Sequence, residues 1–265
     1  MNALISESLF DLTGKVALIT GSTKGIGKAI AQRMSQHGAK VVISSRKADA
    51  CDRVAEEIRA AGGEAFAKPC NVGRKEELDA LVDATMAHWG RIDILVCNAA
   101  VNPHFGPTLD LPESAWDHVM NANVKSLYLI CNRVLPQMAE RGQGVVLFIS
   151  SLGAFMGSDT MGVYSISKAA ELQMARNLAV EWGPKGIRAN CISPGLIKTD
   201  FAKALWADPV LLKNRQRFAP LQRIGDPDEI AGAAVFLASK AAGFMTGQTL
   251  IIDGGRYAGQ VTQKE

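Results

Sequence analysis

The chain has 265 residues, 48% hydrophobic and 21% charged, with a net charge of +3 and no run of five or six like charges. That is the balance of an ordinary globular protein long enough to bury a large core, and it implies no nucleic-acid partner. No stretch of eighteen or more apolar residues exists, which argues against a membrane span, and five scattered cysteines with no Cys-x-x-Cys pair argue for free thiols and against a metal site.

Strand-length apolar runs alternate with helix-period segments from end to end. Val16–Thr20 reads as a buried strand, and Gly25–His37 as a helix with Ile26, Ile30 and Met34 on one face and Gly38 as its stop. Val41–Ser44 is the second strand and Ala48–Ala61 a helix ended by Gly62-Gly63. Ala65–Lys68 is a short third strand closed by Pro69, which places it near a sheet edge. Helix Arg74–Trp89 leads into strand Asp93–Cys97. One long helical region follows, Trp116 to Glu140, with Pro136 expected to weaken its last turns. Val145–Ser150 is the fifth strand, Tyr164–Trp182 a helix and Ile187–Ile192 the sixth strand. Asp228–Ser239 and Thr249–Asp253 close the series.

This alternation predicts a single-domain, doubly wound α/β fold over residues 1 to 265. Its seven-stranded parallel sheet would run 3-2-1-4-5-6-7 with helices on both faces. The opening Met1 to Glu7 lacks a positive region followed by a long apolar one, so the chain reads as cytoplasmic, without a secretion leader.

Two constellations carry chemistry. The first is the turn Thr20-Gly21-Ser22-Thr23-Lys24-Gly25-Ile26-Gly27 after strand one. Gly21 permits a tight turn, Gly25 lets a phosphate approach the backbone, and Gly27 lets helix and strand pack closely. The helix start then offers free N–H groups to a pyrophosphate. A phosphate-binding P-loop is excluded, because five residues separate Gly21 from Gly27 and no hydroxyl residue follows Lys28. At the end of strand two, where an acid would bind a ribose diol, the chain reads Ser44-Ser45-Arg46-Lys47. Arg46 and Lys24 supply cations for a 2′-phosphate, so NADP(H) is the expected cofactor, with NAD(H) as the lesser possibility.

The second constellation is Ser151 at the end of strand five with Tyr164 and Lys168, four residues apart on one helix face. A free phenol titrates near 10 and is a poor acid–base catalyst at neutral pH. An adjacent ammonium is expected to bring it toward the working range.

These residues, together with Asn98-Ala99-Ala100, Asn123 and Pro194-Gly195, resemble the short-chain dehydrogenase/reductase family over residues 11 to 256. Ser44-Ser45-Arg46-Lys47, Asn98-Ala-Ala-Val-Asn-Pro and Pro194-Gly-Leu-Ile-Lys-Thr are most similar to its NADP-dependent carbonyl/retinal reductase branch. The resemblance implies Tyr164 as general acid/base, Ser151 orienting a carbonyl, Lys168 on the nicotinamide ribose and Asn123 anchoring a water of the proton relay. It implies further that Asn98 lines the cofactor cleft and that Pro194 to Thr199, with Ile197 and Thr199 in contact, covers the nicotinamide. The cofactor-binding set is completed by Asn71, standing where the family has an acid for the adenine amino group, and its neighbour Val72. A homotetramer is implied as well. Members of the branch often end in a peroxisomal tripeptide, and this chain ends Gln263-Lys264-Glu265.

Apolar Leu196, Phe201, Leu205, Trp206 and Phe218, interleaved with Lys198, Lys203, Lys213, Arg215 and Arg217, read as a substrate lid over 195–220. Two short helices packed permanently on the core fit the same periodicity. Phe155, Met156, Asp159 and Met161 are expected to line the substrate pocket, and His104 is a further candidate. Three functions stay open: a carbonyl/alcohol oxidoreductase, a 3-oxoacyl-thioester reductase, and a non-catalytic nucleotide sensor on the same fold.

Overall fold

The computed structural model describes residues 8–259. Met1 to Glu7 and the terminal Gln263-Lys264-Glu265 lie outside them. Seven strands form one parallel sheet: β1 (Val16–Thr20), β2 (Lys40–Ser44), β3 (Ala65–Ala67), β4 (Ile94–Cys97), β5 (Gly144–Ile149), β6 (Ile187–Pro194) and β7 (Thr249–Ile252). Their order is β3-β2-β1-β4-β5-β6-β7, with β1 paired to β2 on one side and β4 on the other. Helices α1 (Gly25–Gln36), α2 (Ala48–Ala60), α3 (Lys75–Trp89), α4 (Glu113–Met120), α5 (Ser126–Glu140), α6 (Gly162–Trp182), α7 (Lys203–Trp206), α8 (Pro209–Arg217) and α9 (Pro227–Ala238) join them.

The pleat sorts each strand's side chains onto two cores. Ala17, Ile19, Val41, Ile43, Ile94, Val96, Val145 and Leu147 pack under α1, α2 and α9. Leu18, Val42, Leu95, Cys97, Val146 and Phe148 face α3, α5 and α6. Because both faces are covered, the strands carry continuous apolar runs rather than alternation. β3 lies at the edge, where Pro69 costs no ladder bond. On this flank Phe66 stacks on His88 with centroids 4.4 Å apart.

One expectation for the fourth crossover is corrected. The region from Trp116 to Glu140 is not one helix, since a π-turn over Asn121–Lys125 separates α4 from α5. Pro136 lies inside α5, which runs on to Glu140. Pro136 and Asn132, whose carbonyl loses its intrahelical N–H partner, are both exposed, on the side of the helix where the missing bond costs least.

Asp93 ties the sheet together just before β4. Its carboxylate, 4% exposed, accepts from the Val16 N–H at 2.9 Å and from Arg91 Nε at 2.9 Å. No described helix is long and apolar enough to cross a membrane.

Candidate active site

The carboxyl ends of the parallel strands open into a cleft of about 270 Å³. It gathers Gly21, Thr23, Lys24, Gly25, Ile26 and Gly27 from the turn after β1, with Ser45 and Arg46 after β2. Asn71 and Val72 enter after β3, Asn98, Ala99 and Ala100 after β4, and Tyr164, Lys168 and Thr199 close the far wall. A wider hollow of about 740 Å³ at the opposite end of the sheet is lined by Asp11, Lys15, Asp93 and Gln143. Its polar groups are already paired, Asp93 with Arg91 and Lys15 Nζ with Gln143 at 3.2 Å.

The turn is built so that a dinucleotide can sit against bare backbone. A methyl on Gly27 would lie 2.4 Å from both Asn98 Nδ2 and the Gly21 carbonyl oxygen, and Gly21 itself has φ +67°. α1 begins at Gly25 with no capping side chain and no acid in its first turn, so its first N–H groups face the cleft uncontested. The chain therefore fits a pyrophosphate at this point. Asn98 holds the cradle shut from beneath: Nδ2 donates to the carbonyls of Thr20 at 2.9 Å and Gly21 at 3.1 Å.

Five of the expected cofactor residues fall outside this lining. Ser22 is fully buried. Its hydroxyl donates to the Ile19 carbonyl at 2.8 Å and accepts from the Ser44 N–H at 2.8 Å, clamping β1 to β2. Lys47 is exposed at the start of α2. Pro194 ends β6, and Gly195 packs so tightly on β7 that a methyl would lie 2.7 Å from Asp253 Cα. The Ile197 side chain joins the core beneath α1 and α9. Asn71 lines the cleft, with one lone pair of its amide oxygen already engaged by the Gly73 N–H at 3.1 Å. Lys24 meets Asp200 across the cleft at 3.9 Å, with both side chains about 70% exposed.

The second constellation converges at the end of β5. α6 carries Tyr164 and Lys168 on one stripe, and Ser151 caps the short turn after β5 by accepting from the Gly153 N–H at 3.1 Å. The Lys168 ammonium lies 5.6 Å from the Tyr164 ring centroid. It donates to the Ile149 carbonyl at 2.9 Å and to Glu171 Oε1 at 2.7 Å, and both partners of this ion pair are 2% exposed. Ser150 adds a second tie, its hydroxyl donating to the Lys168 carbonyl at 2.9 Å.

The expected acidification of Tyr164 is corrected in its net direction. Burial pushes the phenol up, and the nearby Glu171 charge adds to that. Lys168 and a hydrogen bond with Ser151 pull it down, and the sum lies above the ordinary tyrosine value. Sequence reading missed Glu171, although Tyr164, Lys168 and Glu171 follow the i, i+4, i+7 spacing of one helix stripe. The spacing was visible; that the whole stripe is buried was not.

Asn123 is fully buried in the π-turn with its side chain spent. Oδ1 accepts from the Val101 N–H at 2.8 Å, and Nδ2 donates to the Val101 carbonyl and the Ser167 hydroxyl, each at 3.0 Å. Ser167 in turn donates to the Tyr164 carbonyl at 2.7 Å, so Asn123 braces the helix that carries the phenol.

On the substrate side, Phe201 approaches Tyr164 with ring centroids 6.1 Å apart, and Phe155 packs on Tyr257 at 5.3 Å. Met156, Asp159 and Met161 lie in the loop leading to α6, outside the cleft's lining. His104 does not reach the site; its Nε2 bonds the Pro107 carbonyl at 3.2 Å. The segment expected as a lid forms α7 and α8, leaving Phe201 54% and Phe218 44% exposed. Trp206 Nε1 ties α7 to the Thr199 carbonyl at 2.9 Å.

Comparison with known proteins agrees with this fold. Residues 21–256 match a family model described as enoyl-(acyl carrier protein) reductase. Over 244 residues the chain is 43% identical to dehydrogenase/reductase SDR family member 4 of Sus scrofa, covering 92% of this chain and 88% of that protein. It is 42% identical over 243 residues to the human family member 2, named as mitochondrial, covering 92% and 86%. Among solved structures, a 7α-hydroxysteroid dehydrogenase complexed with NADH and 7-oxo glycochenodeoxycholic acid superposes with a TM-score of 0.88 at 40% identity, covering 93% of this chain and 95% of its own. A gluconate 5-dehydrogenase from Burkholderia cenocepacia, in complex with NADP and tartrate, gives 0.91 at 32% identity, covering 95% and 99%. With its sheet order, its glycine turn and the Tyr164–Lys168 pair in place, this chain belongs to the short-chain dehydrogenase/reductase family of oxidoreductases, a fold that binds a nicotinamide dinucleotide.

Proposed function

We propose that the protein is an NADP(H)-dependent oxidoreductase that interconverts a ketone or aldehyde and an alcohol. The observation that carries this reading is that Tyr164 and Lys168 line the cleft floored by the glycine turn, with Ser151, at the end of β5, hydrogen-bonded to the phenol from outside that lining. A bound nicotinamide supplies or accepts the hydride. Gly21, Gly25 and the start of α1 would hold its pyrophosphate, and Asn71 and Val72 would flank its adenine.

Tyr164 gives the proton to the substrate oxygen in reduction and takes it back in oxidation. Ser151 hydrogen-bonds that oxygen and holds it beside the phenol. Lys168 stabilises the phenolate and binds the ribose, and Asn123 braces the relay. Phe201 and the half-exposed lid residues exclude water when the segment closes.

Arg46 and Lys24, both in the cleft with no acid at the end of β2, support NADP over NAD. The carbonyl/retinal reductase branch is supported by the similarity to family member 4. Exposed Tyr128, Ile166 and Val180 on α5 and α6 support a homotetramer packed through those helices. Five free, buried cysteines support a reducing, cytoplasmic setting.

A second reading, reduction of a 3-oxoacyl thioester, is favoured by the lid cations Lys203, Lys213 and Arg215, which suit an acidic carrier. One assay separates the two: NADPH and NADH oxidation against aldehydes, ketones, diketones and acyl thioesters. Turnover of simple ketones with NADPH supports the proposal. Turnover confined to thioesters transfers it to the second reading, and no turnover on any of them overturns both.

A further inference from the structure

The site contains a third buried ionisable side chain to which neither the proton transfer nor the cofactor assigns a task. Glu171 stands one turn beyond Lys168 on α6 and is 2% exposed. Its Oε1 accepts from the Lys168 ammonium at 2.7 Å, while Oε2 has no hydrogen-bond partner among the described residues. Buried carboxylates with an empty acceptor are costly, so such a group calls for an explanation.

The surroundings contain few other charges. Lys168 is the cation that acts on Glu171. From the sheet, Cys191 on β6 and Cys97 on β4 face the pair; a hydrogen bond with the free thiol of Cys131 on α5, and then burial, push the Cys97 thiol up, and burial pushes up that of Cys191, so both are neutral. From its own helix come the Tyr164 phenol and, acting on Cys191, Arg176. The ammonium therefore stands between a phenol and a carboxyl that compete for its charge.

We propose that Glu171 is a positioning residue for Tyr164. Ionised, it pins the Lys168 ammonium between itself and the Ile149 carbonyl and cancels most of its charge. Protonated, it leaves that charge to act in full on the phenol. The inference rests on the reading of Tyr164 as acid/base and adds to it a built-in setting of the phenol's acidity. Two directions support the geometry. Burial lifts the Glu171 carboxyl to about 7, which brings its ionisation into the working range. The same carboxylate counts among the causes that raise Tyr164. Tyr164 and Glu171 thus titrate as a coupled set through Lys168.

The test reads the phenol directly. The chain has three tyrosines, so ζ-¹³C-tyrosine labelling gives three signals, and the one lost in Tyr164→Phe is assigned. Glu171→Gln keeps size and a hydrogen-bond acceptor but removes the charge. Its Tyr164 midpoint is expected about one pH unit below wild type, whereas Glu171→Asp stays near wild type. In the wild type the Tyr164 signal also shows a second, smaller inflection near neutral pH as Glu171 ionises. An unchanged midpoint in the Gln variant, an equal fall in the Asp variant, or a single wild-type inflection overturns the proposal, and the last of these needs no variant to fold.

Ketone reduction with NADPH is followed in parallel, where the pH limb of kcat moves by the same amount. Absent turnover with the Tyr164 shift intact sinks the activity reading and leaves the effect of Glu171 on the phenol standing. Normal turnover with no shift sinks the role of Glu171 alone.

Discussion

Asn98 and Gly27 occupy one space from two elements: the Asn98 amide that holds the Thr20 and Gly21 carbonyls leaves 2.4 Å for any Cβ at position 27. The contact closes the cradle only while residue 27 is glycine. Gly27→Ala has to push Asn98 off its two carbonyls or lift α1 from the turn. NADPH affinity is expected to fall by more than about tenfold, equivalent to about 1.4 kcal/mol. Calorimetric titration of the folded variant checks it, and wild-type affinity would show that the cradle tolerates the methyl.

Tyr164→Phe keeps the ring against Phe201 and removes only the hydroxyl. Carbonyl reduction should drop by about 10² to 10⁴, the range general acid catalysis supplies. NADPH binding should be nearly unaffected. Steady-state rates alongside a binding titration distinguish a lost proton donor from a lost cofactor, and retained turnover contradicts the assigned role.

Arg46→Asp places a carboxylate where a 2′-phosphate is expected and removes the guanidinium that would hold it. The ratio of kcat/KM for NADPH to that for NADH should fall by about 10- to 100-fold, the worth of one charge-assisted contact. An unchanged ratio shows that the phosphate is held elsewhere.

Asp93 lies far from the cleft, so its loss should be felt as stability alone. Asp93→Ala strands the Val16 N–H and Arg91 at a buried junction. A loss of about 2–3 kcal/mol in denaturant unfolding is expected, with cofactor affinity unchanged.

Glu171 also imposes a sign on stability against pH. Its carboxyl is raised by burial from 4.5 to about 7, so the folded chain binds a proton more tightly than the unfolded one between those values. Stability therefore falls as pH rises through that window. Melting temperatures of wild type and Glu171→Gln, followed across it, should diverge in slope, with the flatter profile in the variant. Equal slopes would mean that the carboxyl ionises as if it were in water.

How far the amino-acid order could be read depends on how local each determinant is. Strand positions, the place of β3 at an edge, the glycine turn and the Tyr164–Lys168 spacing follow from periodicity and turn chemistry carried by neighbouring residues; the structure has all seven strands in place and in the expected order, with ends that differ by one or two residues in all but the first. What required the tertiary structure is direction and burial. Ser22 turns under the sheet because β1 offers it the Ile19 carbonyl and β2 the Ser44 N–H, and Asn123 is consumed by Val101 and Ser167. The helix from Trp116 breaks at a π-turn that no propensity marks.

The phenol is the clearest case. Its neighbouring ammonium was legible as a spacing of four residues, but its titration depends on how much water the packed strands exclude and on a third charge, Glu171, two turns along α6. Desolvation sums over everything that surrounds a group, so it belongs to the assembled core and to no segment of the chain.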